Sequence, residues 1–371
     1  MKRFLWQFRI PLLIVFLTAS MSAQNGGLRF TITDLGPYGR FSIAHGINNR
    51  GDIVGTVAVP GGGQECFLLP HGGQMIYFAG DTKVPYCDAV AINSQGVIAG
   101  TITYQKSPYY LAFRRAPNGV ITTLQSPSGV GLDEAYAINS KNVVVGVSDA
   151  YSYPVVWDTN GKATWVSTIT GFATGINDVG EIVGWDDSVW GNQCCMAWTS
   201  KNGVLTYLPT LGDRYGGWAW AINNRGFVAG AGVPEPFYYP SYPFEEVFWN
   251  TGAQGSPISD FGYTLGFMQS AVAISSDNWL VGGYREYSVV YVNIQVPYPS
   301  DAFLVVTDPA GCPMTPLMNL LDSSGSAWAN LVVANGINDS HQIVGYGTKN
   351  DDGHAHAFLL TPNNLPLCYP D

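Results

Sequence analysis

Short apolar segments alternate with turn residues along the chain, and one twelve-residue phrase of this kind recurs. Its first copy, residues 44–55, reads AHGINNRGDIVG. An apolar stretch leads into Asn and other turn residues, and a second apolar stretch follows and ends at Gly. Because Asn side chains stabilise tight turns, each copy predicts a β-hairpin. The seven copies span residues 44–55, 89–100, 135–146, 173–184, 219–230, 271–282 and 334–345.

Each copy has a turn Asn, replaced by Ser275 in the sixth copy. The residue types found three positions later predict a left-handed backbone there. Gly, Asn and His are the residue types found there, and Gly and Asn in particular tolerate a positive φ. We therefore interpret the Asn and Gly residues of the phrase as structural rather than catalytic. The residues at this position are Gly51, Gly96, Asn142, Gly180, Gly226, Asn278 and His341.

Two further strands are predicted between successive phrases, as at residues 112–113 and 121–124. Four strands in about 45 residues match one blade of a propeller. Residues 30–35 resemble a fourth strand with no blade before it, and the last repeat stops after its third strand. The sequence thus predicts an all-β fold, a single seven-bladed β-propeller, with the N-terminal strand closing the last blade.

The composition agrees with this fold class. Only 12% of the residues are charged, whereas 46% are hydrophobic and 13% aromatic. Soluble domains usually carry about 25% charged residues, so helices covered in charges cannot dominate. Disorder is excluded too, because disordered chains combine low hydrophobicity with high net charge.

The first residues have the layout of a secretory signal peptide. Lys2, Arg3 and Arg9 precede an apolar run of about ten residues, which is shorter than the ~20 that a membrane span needs. An uncleaved anchor is the alternative. We expect a signal peptide at 1–23, the propeller at 24–361 and a C-terminal tail at 362–371. The mature chain would then be secreted, extracellular or periplasmic, and without a membrane span.

The charge argues against nucleic acid as a partner. The net charge is −10, and cleavage of the signal peptide would make it more negative. An acidic surface repels phosphate backbones. We expect a monomer.

The repeated phrase resembles that of the bacterial extracellular HAF-repeat proteins, which combine it with a His-Ala-Phe strand. That strand is complete at His356, Ala357 and Phe358, with degraded versions at 301–303 and 111–113. The resemblance covers about residues 30–361 and implies a propeller fold and export. It carries over no catalytic residue.

Loops rich in Tyr, Trp and Pro are predicted on one face of the propeller, at 104–110, 149–154, 185–193, 233–244 and 284–299. Two interpretations are open. The loops pack on one another, or they bind a glycan or protein ligand, for which aromatic rings are suited. A binding scaffold is the main functional expectation. The candidate ligand-binding residues are Tyr109, Tyr110, Tyr151, Tyr153, Trp185, Trp190, Tyr238, Tyr239, Tyr242, Tyr284 and Tyr287.

Two alternatives stay beside that expectation. One is a carbohydrate-active enzyme that uses the acidic pairs 186–187 and 245–246 on the same rim, although adjacent strand residues point apart. The other is a purely structural surface protein. A metal site at His354 and His356 is conceivable, but packing explains His356 more simply. We expect neither a cofactor nor a metal.

The six cysteines of an exported chain predict disulfides. We expect Cys66 to pair with Cys87 and Cys312 with Cys368. Cys194 and Cys195 would then form a vicinal disulfide or remain as thiols.

Overall fold

The computed structural model describes residues 27–36, 40–60, 62–79, 86–103, 109–129, 131–148, 152–188, 195–210, 216–232, 245–251, 269–284, 302–306 and 312–363. These residues are all β apart from two short 3-10 helices, Leu317–Leu320 and Ser323–Ala327, so the predicted fold class is confirmed. No helix among them is both long and apolar enough to cross a membrane.

The strands are short, as expected for hairpin repeats. In chain order they are β1 (Phe30–Asp34), β2 (Ser42–Ile47), β3 (Ile53–Ala58), β4 (Gln64–Leu69), β5 (Ile76–Phe78), β6 (Tyr86–Ile92), β7 (Ile98–Thr103), β8 (Tyr110–Arg115), β9 (Ile121–Leu124), β10 (Glu134–Ile138), β11 (Val144–Ser148), β12 (Tyr153–Trp157), β13 (Ala163–Trp165), β14 (Gly171–Ile176), β15 (Ile182–Asp186), β16 (Met196–Lys201), β17 (Val204–Tyr207), β18 (Gly217–Ile222), β19 (Phe227–Gly232), β20 (Glu245–Asn250), β21 (Gln269–Ile274), β22 (Trp279–Tyr284), β23 (Phe303–Val306), β24 (Cys312–Pro316), β25 (Trp328–Ile337), β26 (Ile343–Lys349) and β27 (Ala355–Pro362).

These strands form six antiparallel hydrogen-bonded sheets. Four sheets have four strands each, β2–β5, β6–β9, β10–β13 and β14–β17, and β18–β20 form a three-stranded sheet. The eight-stranded sheet contains β21–β27 and β1. β1 pairs with β27, as predicted, with Phe30 opposite Pro362 and Asp34 opposite Phe358. The N-terminal strand therefore completes the last repeat.

The turn of every phrase has the predicted backbone. The residue three positions after the turn Asn or Ser275 has a φ between 56° and 89° in each copy. In the first copy the Asn48 Oδ1 atom accepts the backbone N–H groups of Arg50 and Asp52, both at 3.0 Å. The Asn side chain therefore holds the turn together, which confirms its structural role.

The same Asn residues also join neighbouring repeats. Each Nδ2 atom donates to the backbone carbonyl at the equivalent position of the next repeat, as from Asn93 to Asn139 at 2.9 Å. The last repeat donates to the first, from Asn338 to Asn48 at 3.0 Å. We call this series of hydrogen bonds the ring of amides, and it is interrupted in the sixth repeat, where Ser275 replaces Asn. The donors are Asn48, Asn93, Asn139, Asn177, Asn223 and Asn338.

In five of the seven copies the Gly that ends the phrase leaves room for an aromatic ring. Gly184 pairs with Trp198 of the third strand. A Cβ on Gly184 would lie 2.6 Å from that ring and would overlap the carbonyl oxygen of Phe172. Gly345 and Phe358 repeat this pairing in the last copy. The Phe of the His-Ala-Phe strand thus fills the space over a glycine.

One predicted disulfide is confirmed. Cys66 on β4 bonds Cys87 on β6 and so links two neighbouring sheets. Cys195 is also disulfide-bonded. The side chains of Cys194, Cys312 and Cys368 lie outside the described residues, so the expected pairing of Cys312 with Cys368 stays a prediction.

Candidate functional site

The first strands of the repeats surround a common axis. β2, β6, β10, β14, β18, β21 and β25 contact one another in this order, and β25 contacts β2. The space that they enclose is called the central channel below. Because the first strands form its wall, their half-buried side chains are the ones that a ligand on the axis would meet.

A histidine and a carboxylate pair across two neighbouring repeats in this wall. The His45 Nε2 atom on β2 lies 3.1 Å from the Asp88 Oδ1 atom on β6, and their side chains are 24% and 17% exposed. An ionised carboxylate only accepts hydrogen bonds, so the bonded nitrogen carries a proton. In the neutral ring Nδ1 then holds the lone pair, and it has no hydrogen-bond partner within the described residues. This arrangement orients a histidine as a general base.

The fold fixes Asp88 from two further directions. The Thr56 hydroxyl on β3 donates to Asp88 Oδ1 at 2.7 Å. Cys87 precedes Asp88 in the chain and is bonded to Cys66, which lies opposite Thr56 in the sheet of His45. The disulfide therefore ties the repeat of the histidine to the repeat of its carboxylate, directly beside the pair.

A second acid lies on the next first strand. Glu134 on β10 is at the position equivalent to Asp88, one residue before the phrase, and its Oε2 atom accepts the Tyr136 hydroxyl at 2.8 Å. Burial raises the pKa of Glu134, the Tyr136 hydrogen bond lowers it, and the negative charge of Asp88 raises it again, with a net upward shift. Glu134 thus keeps its proton at a higher pH than an ordinary glutamate, as a general acid requires.

The pKa of Tyr86 responds to the negative charges of the same two carboxyl groups. It begins β6, and its ring lies edge-on to that of Tyr110 at 5.9 Å. Burial raises the pKa of Tyr86, and the charges of Asp88 and Glu134 raise it further. The two carboxyl groups therefore act on a common region of the channel wall.

The sequence-predicted aromatic residues lie in varied surroundings. Tyr109 is exposed, Tyr110 and Tyr153 are half-buried, and Trp185 is buried against Phe172 at a centroid distance of 4.3 Å. Their contact with a ligand stays a prediction. The side chains of the others lie outside the described residues: Tyr151, Trp190, Tyr238, Tyr239, Tyr242, Tyr284 and Tyr287.

The acidic pair at 186–187 is part of a hydrogen-bonded corner. Asp186 is buried and accepts the Tyr207 hydroxyl at 2.6 Å and the Ser188 backbone N–H at 2.7 Å. Burial and the charge of Asp186 raise the pKa of Asp187. The side chains of Glu245 and Glu246 lie outside the described residues.

His356 is engaged by protein groups on both nitrogens. Nδ1 lies 3.1 Å from Asp34 on β1, and Nε2 lies 2.9 Å from Asp352. Lys349 pairs with the same Asp34. The contact of His356 with Asp34 joins β27 to the N-terminal strand, in agreement with a packing role. Within the described part of the chain, no group of three or more His, Cys, Asp or Glu side chains is arranged to hold a metal ion.

Comparison with known proteins shows a propeller fold. A solved structure of streptogramin B lyase is similar over 90% of this chain and 98% of that chain, with a TM-score of 0.52 and 12% identity. A putative gluconolactonase aligns with 91% of this chain and 98% of that chain, at a TM-score of 0.42 and 8% identity. No protein-family model matches the chain, and no curated protein does. The propeller prediction is confirmed, and membership of the HAF-repeat family stays a prediction.

The main functional expectation is wrong. The similar propeller is a lyase, which agrees with the enzymatic alternative and contradicts a glycan- or protein-binding scaffold. Nothing in this similarity supports carbohydrate as the substrate. The physical reason is that the loops are rich in aromatic residues, which is typical of binding surfaces, whereas the first strands contain only a few polar side chains.

Four residues of the first strands were not predicted from the sequence as site residues: His45, Asp88, Glu134 and Tyr136. Their signal was present, because each is a polar or ionisable residue in a first strand that is otherwise apolar or small. They occupy the variable position of the phrase or the position just before it. The alignment of repeats shows this variation, but only the closed ring places the variable positions around one channel.

Proposed function

We propose that this chain is an acid–base enzyme of the lyase class, with its reaction centre in the central channel at His45, Asp88 and Glu134. The observation that carries the proposal is the His45–Asp88 pair beside Glu134, a carboxyl group whose pKa is raised. A positioned base and a carboxyl group with a raised pKa in one wall meet the requirement for a proton-transfer reaction.

The proposed reaction is an elimination. His45 Nδ1 takes a proton from a substrate carbon, and the electrons of that C–H bond form a carbon–carbon double bond. The bond from the neighbouring carbon to the leaving group breaks, and Glu134 gives its proton to that group. Asp88 orients the His45 ring and stabilises its positive charge. Protons and electrons balance without a further reactant.

Turnover of model substrates tests this proposal. The full chain would be assayed with a panel of β-substituted esters and amides, following the absorbance of the new double bond. We expect His45→Gln to lower kcat about 100-fold or more, the range for loss of an acid–base group. His71→Gln is the matched control, because His71 is exposed outside the channel. Full activity of His45→Gln, or no turnover of any member of the panel, would contradict the proposal.

We also infer that the propeller has seven blades. The first strands of all seven repeats take part in the ring of contacts. The eight-stranded sheet contains two sets of four strands, and among the described residues one strand pairing, Gly283 with Val333, joins them. A backbone hydrogen bond from Ala302 to Leu331 lies beside it. This narrow connection supports counting the sheet as two blades. An experimental map with another number of blades would overturn the count.

We propose export with removal of residues 1–23. A disulfide between two neighbouring sheets is compatible with an oxidising compartment. N-terminal sequencing of the protein recovered from the medium or periplasm tests the cleavage, and the mass in solution tests whether the mature chain is monomeric.

A further inference from the structure

Aromatic side chains form the channel wall next to Glu134. Tyr136, Phe172 and Trp220 are half-buried and lie on the consecutive first strands β10, β14 and β18. We call these three residues the aromatic sector. The Phe172 ring lies edge-on to Tyr136 at 6.1 Å and stacks on the buried Trp185 at 4.3 Å. The sector is therefore held in place by packing from behind.

The charges in the wall have one sign. The seven first strands contain no Lys or Arg, and their acids are Asp88 and Glu134. His45, the ionisable base among them, is already paired with Asp88. An anion that entered this channel would meet two carboxyl groups and no permanent positive charge from the first strands.

Tyr136 connects the two features. Its hydroxyl donates to Glu134, and its ring contacts Phe172. A group that lies on the Tyr136 ring is therefore also next to a carboxyl group. Aromatic faces attract cations through their quadrupole, and the attraction grows when water is excluded.

We propose that the channel binds an organic cation that carries a flat apolar ring, with the ring on the aromatic sector and the positive charge facing the carboxyl groups of Asp88 and Glu134. This inference rests on the proposed function for the place of the reaction, and it adds the chemical class of the substrate. It concerns binding, so it can be tested without turnover.

Three probes with one phenyl ring and different charges test the proposal: benzyltrimethylammonium, benzyl alcohol and phenylacetate. Tetramethylammonium is the cation without a ring. Ligand-observed NMR titrations with the full chain measure each Kd. We expect benzyltrimethylammonium to bind more tightly than benzyl alcohol and tetramethylammonium, and phenylacetate to bind most weakly.

Two variants separate the contribution of the aromatic sector to binding from that of the negative charge. Trp220→Leu should weaken benzyltrimethylammonium binding about two- to tenfold, because the phenyl ring of the probe loses one aromatic contact. Asp88→Asn removes the negative charge that acts on Glu134, so it should weaken benzyltrimethylammonium binding and leave benzyl alcohol binding unchanged. Trp165→Leu is the matched control, because Trp165 lies on β13, the last strand of its sheet, and it should bind every probe as the parent protein does.

The proposal is overturned if phenylacetate binds as tightly as benzyltrimethylammonium, if no probe binds, or if folded Trp220→Leu binds unchanged. Circular dichroism of each variant shows whether it is folded, and Phe172→Leu replaces Trp220→Leu if the latter is not. His45→Gln separates this proposal from the proposed function. If His45→Gln still binds benzyltrimethylammonium, the binding site is supported even when the parent protein turns over no substrate. In that case the proposed reaction fails and the binding proposal stands.

Discussion

Asn139→Ala should destabilise the fold through the ring of amides rather than through its own turn alone. The Asn139 Nδ2 atom donates to the Asn177 carbonyl at 3.1 Å, and Oδ1 accepts the backbone N–H groups of Lys141 and Val143, both at 3.0 Å. Asn139 is only 4% exposed. A buried hydrogen bond contributes about 1 kcal/mol net, so the three together amount to about 3 kcal/mol.

The effect on thermal unfolding follows from chain size. With an unfolding entropy of ~2.1 cal/mol/K per residue, a loss of about 3 kcal/mol lowers the melting temperature of a chain this long by about 4 °C. Differential scanning calorimetry measures the melting temperature, and urea titration measures the free energy of unfolding. Asn160→Ala is the matched control, because Asn160 is exposed in a turn of the same repeat, and it should change stability by less than about 0.5 kcal/mol.

Asn139→Ser adds a graded comparison. The sixth repeat has Ser275 at this position, and its hydroxyl still accepts the Trp279 backbone N–H at 2.9 Å. Serine can therefore keep part of the turn but cannot reach the next repeat with an amide. We expect Asn139→Ser to be less destabilising than Asn139→Ala. If Asn139→Ala has the same melting temperature as the Asn160→Ala control, the ring of amides does not stabilise this fold.

Three more changes have defined outcomes. The double variant Cys66→Ala/Cys87→Ala should lower the free energy of unfolding by about 2–4 kcal/mol in urea titrations. Its kcat should fall by a larger factor than its substrate affinity. Equal factors would exclude a role of the disulfide in positioning His45 and Asp88. Burial raises the pKa of Asp352, but the turn backbone and His356 outweigh it and lower the pKa overall. Stability from this ionised group is present above about pH 4 and is lost as the pH falls through the lowered pKa, so Asp352→Asn should flatten acid unfolding curves; an unchanged acid midpoint would argue against it. Gly184→Ala should unfold the chain or cost about 3 kcal/mol by calorimetry, because its Cβ would lie 2.6 Å from a packed ring; a native melting temperature would refute this.

Much of the fold could be predicted because the repeats carry local rules. The turn Asn, the residue with positive φ and the final Gly each act within one hairpin, so seven copies repeat the same evidence. The return of β1 to β27 was predictable from the missing strand in the last repeat, and the pairing confirms it. Cys66 and Cys87 were predictable because both lie near the junction of two consecutive repeats.

The candidate site was not predictable in the same way. His45 and Asp88 are 43 positions apart in the printed sequence, and no local rule brings a histidine of one repeat to the carboxylate of the next. Aromatic loops gave the stronger compositional signal, and that signal led to a binding scaffold. Single polar residues in apolar strands gave a weaker signal. They can be recognised as one site only when the structure places their strands side by side around the channel.

The sequence alone determined the all-β class, the repeat and the chemistry of each turn, because hydrogen bonds within a hairpin depend on residues close in the chain. Only the tertiary structure decided which side chains meet. The ring of first strands brings His45 to Asp88, places Glu134 near that pair, and raises the pKa of Glu134 by burial and by the nearby negative charge. Burial and electrostatic interaction depend on distance in space, and the closed ring sets that distance.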